Sequence, residues 1–168
     1  GMVQSPLNTG AGFLADPLAD ILPTTSDWNS LKNSMPKPLG GNGKIAASGS
    51  FAPGYYPKGI SINNSQTVTL MPGSYMFGTD VTMQGQSLLT GNGVTVFVDD
   101  GVTVRVLGGA SISLTPPASG DFQGLVLMCH RKTTNNKACS IGGNGGLSFQ
   151  GSLYVPSGGM DLTGTGVA

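Results

Sequence analysis

Apolar and polar residues alternate along most of the chain after residue 50. Val94, Val96 and Val98 fall on one side of an extended segment, and Thr95 and Phe97 fall on the other. The same alternation recurs over 68–70, 102–107 and 112–114. Each run predicts a short β-strand. Glycine-rich stretches separate the runs and favour tight corners, because glycine adopts positive φ without a steric penalty.

A short phrase occurs twice and indicates how these strands are arranged. Pro-Gly-Tyr-Tyr at 53–56 returns 19 residues later as Pro-Gly-Ser-Tyr at 72–75, and an apolar run follows each copy. Similarity at a fixed spacing of about 20 residues is typical of stacked structural units. We therefore predict an all-β fold, a single-stranded parallel β-helix. Its winding is expected to be right-handed, as parallel crossovers generally are.

The first 50 residues have a different pattern. Leu14, Leu18 and Ile21 lie at roughly helical spacing, but Pro17 and Pro23 limit any helix there to a short turn. A second short helical turn is predicted over 27–33. We expect residues 1–50 to form an irregular, partly helical arm that packs on the solenoid and covers unpaired strand edges. Residues 51–168 are expected to form the β-helix domain.

Composition and charge narrow the function classes. The chain has 28 glycines and 11 prolines, yet 38% of its residues are hydrophobic, enough to build a core. Eight basic residues balance eight acidic ones, so no basic field attracts a phosphate backbone and nucleic-acid binding is not expected. No apolar run is long enough to span a membrane. All the acids are aspartates, which agrees with a fold poor in helix.

The two cysteines bracket the longest polar excursion of the chain. Cys129 and Cys139 enclose residues 130–138, which follow an apolar strand and are expected to project as a loop. In an exported protein the cysteines would form a disulfide; otherwise they are two buried thiols. His130, the one histidine, is expected to be a solvated residue of that loop.

Asp99, Asp100 and Arg105 form the one polar cluster in the sequence that merits testing as a catalytic site. Parallel β-helices include polysaccharide-degrading enzymes, and hydrolysis of a glycosidic bond requires two carboxylates. The alternative, which we favour, is that Asp99-Asp100-Gly101 is a turn between strands. We identify no catalytic, cofactor-binding or metal-ligating set, and we expect no cofactor and no enzymatic activity.

Aromatic residues provide one binding hypothesis. Trp28, Tyr55 and Tyr56 could stack on sugars if their rings are exposed on one flank. The alternative, which we favour, places Tyr75 and one of Tyr55 and Tyr56 inside successive coils as a stack of rings. That alternative assumes that the two copies of the repeated phrase occupy equivalent positions.

Several phrases in order resemble a known bacterial family. They are Asp16-Pro17-Leu18-Ala19, PGYY at 53–56, TVTLMPGSYMF at 67–77, LLTGNGVTVFV at 88–98, ASISLTPPASGDFQGLVLM at 110–128 and GGLSFQGSLYVPSGGMDLTGTG at 145–166. This order is similar to the C-terminal β-helical region of TadG-like proteins of tight-adherence (Flp/Tad) pilus-assembly systems, and to related bacterial surface proteins.

The resemblance implies a non-enzymatic, extracytoplasmic structural or adhesion role, in pilus assembly or at the cell surface. The expected partners are envelope or pilus proteins, or further copies of the chain, with a glycan as a possible ligand. An export or anchor segment is expected outside this sequence. Carbohydrate binding or polysaccharide processing by a β-helix protein is the alternative function.

Overall fold

The computed structural model describes residues 25–37, 43–131 and 140–156, in which one helix is followed by fourteen strands. Helix α1 spans Thr25–Ser34. The strands are β1 (Gly49–Phe51), β2 (Gly54–Tyr56), β3 (Ile60–Ile62), β4 (Thr67–Leu70), β5 (Gly73–Phe77), β6 (Val81–Met83), β7 (Leu88–Gly91), β8 (Val94–Val98), β9 (Thr103–Val106), β10 (Ser111–Leu114), β11 (Leu125–Cys129), β12 (Ser140–Gly142), β13 (Gly146–Phe149) and β14 (Ser152–Tyr154).

Successive strands are distributed in turn among three parallel sheets. The first sheet contains β1, β4, β7, β10 and β13, the second contains β2, β5, β8, β11 and β14, and the third contains β3, β6, β9 and β12. Each strand pairs with the one three places before it, so the chain winds as a β-solenoid. The predicted all-β parallel solenoid with a partly helical N-terminal region is confirmed; its right-handed winding stays a prediction.

The register of the second sheet differs from the spacing of the repeated phrase. Gly54 pairs with Tyr75 and Tyr56 pairs with Phe77, so one coil advances the chain by 21 residues and not by 19. The assumption that the two phrases occupy equivalent positions is therefore wrong by two residues. The repeated Pro-Gly marks a corner: a side chain at Gly73, where φ is 138°, would collide with the ring of Pro53.

Aliphatic and aromatic side chains fill the interior of the coil. The rings of Tyr56 and Tyr75 are stacked, with centroids 6.1 Å apart and planes 20° apart, which confirms the predicted internal stack. The Tyr75 hydroxyl lies 2.6 Å from the carbonyl oxygen of Phe51 and 2.8 Å from that of Met71. Burial raises the pKa of both tyrosines. The Tyr75 hydroxyl is thus satisfied by backbone acceptors.

A second apolar cluster lies outside the coil, on the second sheet. Register places five large side chains in one column, which we call the outer column: Tyr55, Met76, Phe97, Met128 and Tyr154. Helix α1 packs on this column through its Trp28 and through Met35, which follows it. Strands β8 and β11 are consequently buried on both faces.

Residues just before β1 cover part of the first coil. The Tyr55 N–H donates to the carbonyl of Pro36 at 3.0 Å, and Ile45 forms a parallel bridge with Ile60. The edges of β2 and β3 are therefore partly covered. The strand region begins at Gly49, and the predicted division between residues 1–50 and 51–168 stays a prediction.

Candidate functional site

The two adjacent aspartates after β8 have different surroundings. The Asp99 carboxylate faces α1: its Oδ1 accepts a hydrogen bond from Trp28 Nε1 at 3.0 Å, and its Oδ2 lies 2.5 Å from Lys32 Nζ. The Asp100 N–H donates to the same Oδ1 at 3.0 Å. Asp99 therefore joins the helix to the second sheet and also stabilises the turn that follows β8.

Lys32 and Trp28 complete this attachment. Lys32 Nζ lies 4.8 Å from the centroid of the Tyr55 ring. Burial by itself would lower the pKa of Lys32, but its interactions with Asp99 and Tyr55 outweigh burial and raise it. Trp28 is 1% exposed and packs edge-to-face on Phe97, with ring centroids 5.7 Å apart.

The proposed sugar-stacking aromatic residues do not share an exposed flank. Trp28 lies under α1 and Tyr56 lies inside the coil, and both are buried. Tyr55 is half-buried beneath Lys32. His130 is also half-buried, with its ring 4.8 Å from that of Trp28, so the expectation of a solvated loop histidine is wrong. The extra apolar layer outside the second sheet accounts for the placements of Trp28, Tyr55 and His130.

Asp100 lines an open cleft of about 460 Å³ at the corner between the second and third sheets. We call this the charged cleft. Its charged residues are Lys44, Lys58, Asp80 and Asp100, and its hydroxyl groups come from Ser61, Thr79 and Thr82.

The four charged residues come from four successive levels of chain at this corner. The Lys58 N–H donates to the carbonyl of Gly43 at 2.9 Å, which places the segment containing Lys44 beside the one containing Lys58. The Ile60 N–H donates to the carbonyl of Asp80 at 3.3 Å, and the Asp99 N–H donates to that of Phe77 at 3.1 Å. The order along the solenoid axis is therefore Lys44, Lys58, Asp80, Asp100, with two cations followed by two carboxylates.

The third sheet forms one wall of the cleft. Ser61 pairs with Thr82, and Thr82 pairs with Arg105, so Arg105 follows the two hydroxyl residues in the same outward column. Arg105 is exposed, but it is not among the residues that line the cleft. Of the cluster predicted from sequence, the structure thus brings Asp100 into the cleft, leaves Arg105 beyond its wall and directs Asp99 toward α1.

Close backbone packing beside the cleft brings two coils together, and a hydrogen bond orients one of the cleft carboxylates. Gly59 has a φ of 59°, and a side chain there would collide with the carbonyl oxygens of Thr79 and Asp80. Asp80 Oδ1 accepts a hydrogen bond from the Thr103 N–H at 2.9 Å. One oxygen of this carboxylate is therefore held by the neighbouring coil.

The charged cleft can bind a polar ligand through both cations and acceptors. Among the described residues, no group of three or more histidine, cysteine or acidic side chains is arranged to hold a metal ion. Sequence patterns did not identify Lys44, Lys58 or Asp80 as site residues. A signal was present, since Lys58, Asp80 and Asp100 each lie within two residues before an apolar position at a coil corner.

Cys129 ends β11, is 1% exposed and is disulfide-bonded. Cys139 lies outside the described residues, so its pairing with Cys129 stays a prediction. Within the described part of the chain, we find no helix with the length and hydrophobicity that a bilayer-spanning segment needs.

Comparison with known proteins leaves the family open. No family model matches the chain, and no curated protein or solved structure matches it either. The chain is identified by its architecture alone, as a parallel β-solenoid with one short helix packed on the second sheet.

Proposed function

We propose that this chain is a non-enzymatic structural and adhesion module that acts outside the cytoplasm, as expected of the C-terminal region of TadG-like pilus-assembly proteins. The observation that carries the proposal is the attachment of Asp99 to Trp28 and Lys32. The adjacent acid pair is the feature of the sequence most suggestive of glycoside hydrolysis, and one of its members attaches α1 to the second sheet.

The architecture supports a scaffolding role in a second way. Three parallel sheets with a filled interior give stiff flanks, along which outward side chains recur at each coil. Such flanks suit docking to envelope or pilus proteins, or to further copies of the chain, because contacts can extend along the solenoid axis.

A deletion experiment in the encoding bacterium tests this role. We expect loss of the gene to reduce attachment of cells to surfaces, and the wild-type gene to restore it. A version without its export signal should not restore attachment, and protease added to intact cells should cleave the wild-type protein. Unchanged attachment after deletion, or release of sugar products from polysaccharides by the purified chain, would contradict the proposal.

Carbohydrate binding without chemistry on the sugar is a second candidate function. The charged cleft favours it, because cations, carboxylates and hydroxyl groups lie side by side along an open corner. Such a set matches the donors and acceptors of a saccharide. Binding of this kind is compatible with adhesion, since a surface module that holds a polysaccharide attaches cells to it.

A further inference from the structure

We propose that the charged cleft binds an acidic saccharide, a short stretch of sugar that carries a carboxylate together with free hydroxyl groups. This inference names the ligand class for the carbohydrate-binding candidate and therefore rests on it. Four features of the cleft support it: its paired cations, its oriented carboxylate, its direction and its size.

The cationic end matches the carboxylate of a uronic acid. Lys44 and Lys58 are both exposed and come from neighbouring levels of the corner. Neither cleft lysine forms an ion pair with another described side chain. Two ammonium groups on one side of an open cleft attract a single carboxylate, and each can donate several hydrogen bonds to it.

The acidic end matches sugar hydroxyl groups. A carboxylate has about four acceptor positions, and the described contact of Asp80 with the Thr103 N–H uses one of them. That contact also orients the group, which lowers the entropy cost of binding. The hydroxyls of Ser61 and Thr82 lie in register on the adjoining wall and can both donate and accept.

The order of charges gives the cleft a direction. Neighbouring strands lie about 4.8 Å apart, so the four levels from Lys44 to Asp100 span about 14 Å. A saccharide bound along this line would place its carboxylate toward Lys44 and Lys58 and its hydroxyl groups toward the two aspartates. A volume of about 460 Å³ is within the range of small-ligand sites.

An acidic peptide or a nucleic acid fits this surface less well. Asp80 and Asp100 repel a ligand that is anionic along its whole length, such as a phosphate backbone or a run of acidic residues. A saccharide with one carboxylate among neutral hydroxyl groups avoids that repulsion. The carboxylates therefore select against polyanions while the lysines select for a single anionic group.

The test is calorimetric and NMR titration of the purified chain with 4-O-linked digalacturonic acid methylated at one of its two carboxyl groups. We expect binding with a Kd of about 1 mM at low salt, and weaker binding as salt increases. Lys58→Met and Asp80→Asn should each weaken binding about tenfold. Lys37→Met and Asp121→Asn, which alter exposed residues outside the cleft lining, should leave it unchanged.

Three results would overturn the proposal. They are the absence of binding at millimolar ligand, equal binding of the neutral disaccharide maltose, and affinity that is unchanged in both cleft variants. Tighter binding of a triaspartate peptide would reassign the cleft to acidic peptides. Because this titration needs no cells, its failure leaves the attachment phenotype of the deletion strain to decide the structural role separately.

Discussion

Replacing Asp99 with alanine should release helix α1 from the second sheet and leave the solenoid folded. The Asp99 carboxylate contacts α1 through Trp28 Nε1 and Lys32 Nζ. The solenoid core, by contrast, is a separate apolar cluster that does not include α1. The substitution therefore removes polar contacts that join the two and leaves the interior side chains in place.

The cost follows from the burial of these groups. Leaving the buried Trp28 N–H without an acceptor costs about 1–3 kcal/mol. The Lys32–Asp99 pair is partly exposed, with 28% and 15% of the two side chains accessible, so its loss adds at most about 1 kcal/mol. A helix of 10 residues is not stable by itself in water, so an undocked α1 is expected to unfold locally.

Tryptophan fluorescence reports the outcome directly, because Trp28 is the one tryptophan in the chain. In Asp99→Ala we expect its emission to shift to longer wavelength and its quenching by acrylamide to increase. Asp99→Asn keeps an acceptor for Trp28 Nε1 but removes the charge, so it should have a smaller effect. Asp121→Ala, in an exposed turn, is the control. Emission and quenching that are unchanged in Asp99→Ala would refute the role of Asp99.

Two further predictions concern the stability of the coil. Gly143→Ala should destabilise the protein by about 2–4 kcal/mol in urea unfolding, because φ there is 136° and the new methyl group would collide with a backbone carbonyl of the preceding coil. Gly101→Ala, where φ is 73° and no atom lies within 4 Å, should cost about 1 kcal/mol. Equal losses of stability in Gly143→Ala and Gly101→Ala would contradict the role of the collision at Gly143. Lys32, Tyr56 and Tyr75 have raised pKa values, so the folded state holds their protons more tightly than the unfolded state does. The stability that these groups contribute should therefore be fully present below pH of about 10 and should decrease as pH rises above it. Urea unfolding midpoints measured below and above this pH check the direction of the change. Tyr75→Phe should make the midpoint less dependent on pH.

The alternation of apolar residues and the repeated phrase were sufficient to predict the solenoid, and the phrase predicted that Tyr75 stacks with one of Tyr55 and Tyr56, which is Tyr56. They were not sufficient to predict the outer column. Phe97 and Met128 occupy outward positions, which in a solenoid with solvated flanks would be polar. Both strands therefore carry apolar residues on two faces, which is a signal for a covering element. Identifying α1 as that element required the contact between Asp99 and Trp28, which are 71 residues apart.

The charged cleft was hidden for a different reason, which concerns register. A spacing of 19 residues, taken from the Pro-Gly phrase, aligns Lys58 with Phe77, whereas the true advance of 21 aligns it with Thr79, beside Asp80. An error of two residues keeps every inward side chain inward, because strand side chains alternate with a period of two. The core prediction therefore survived the wrong spacing. Corner residues have no such periodicity, so the same error separates groups that the fold places together. In a solenoid the interior can be predicted from the alternation alone, but a binding site at a corner requires the exact register of each coil.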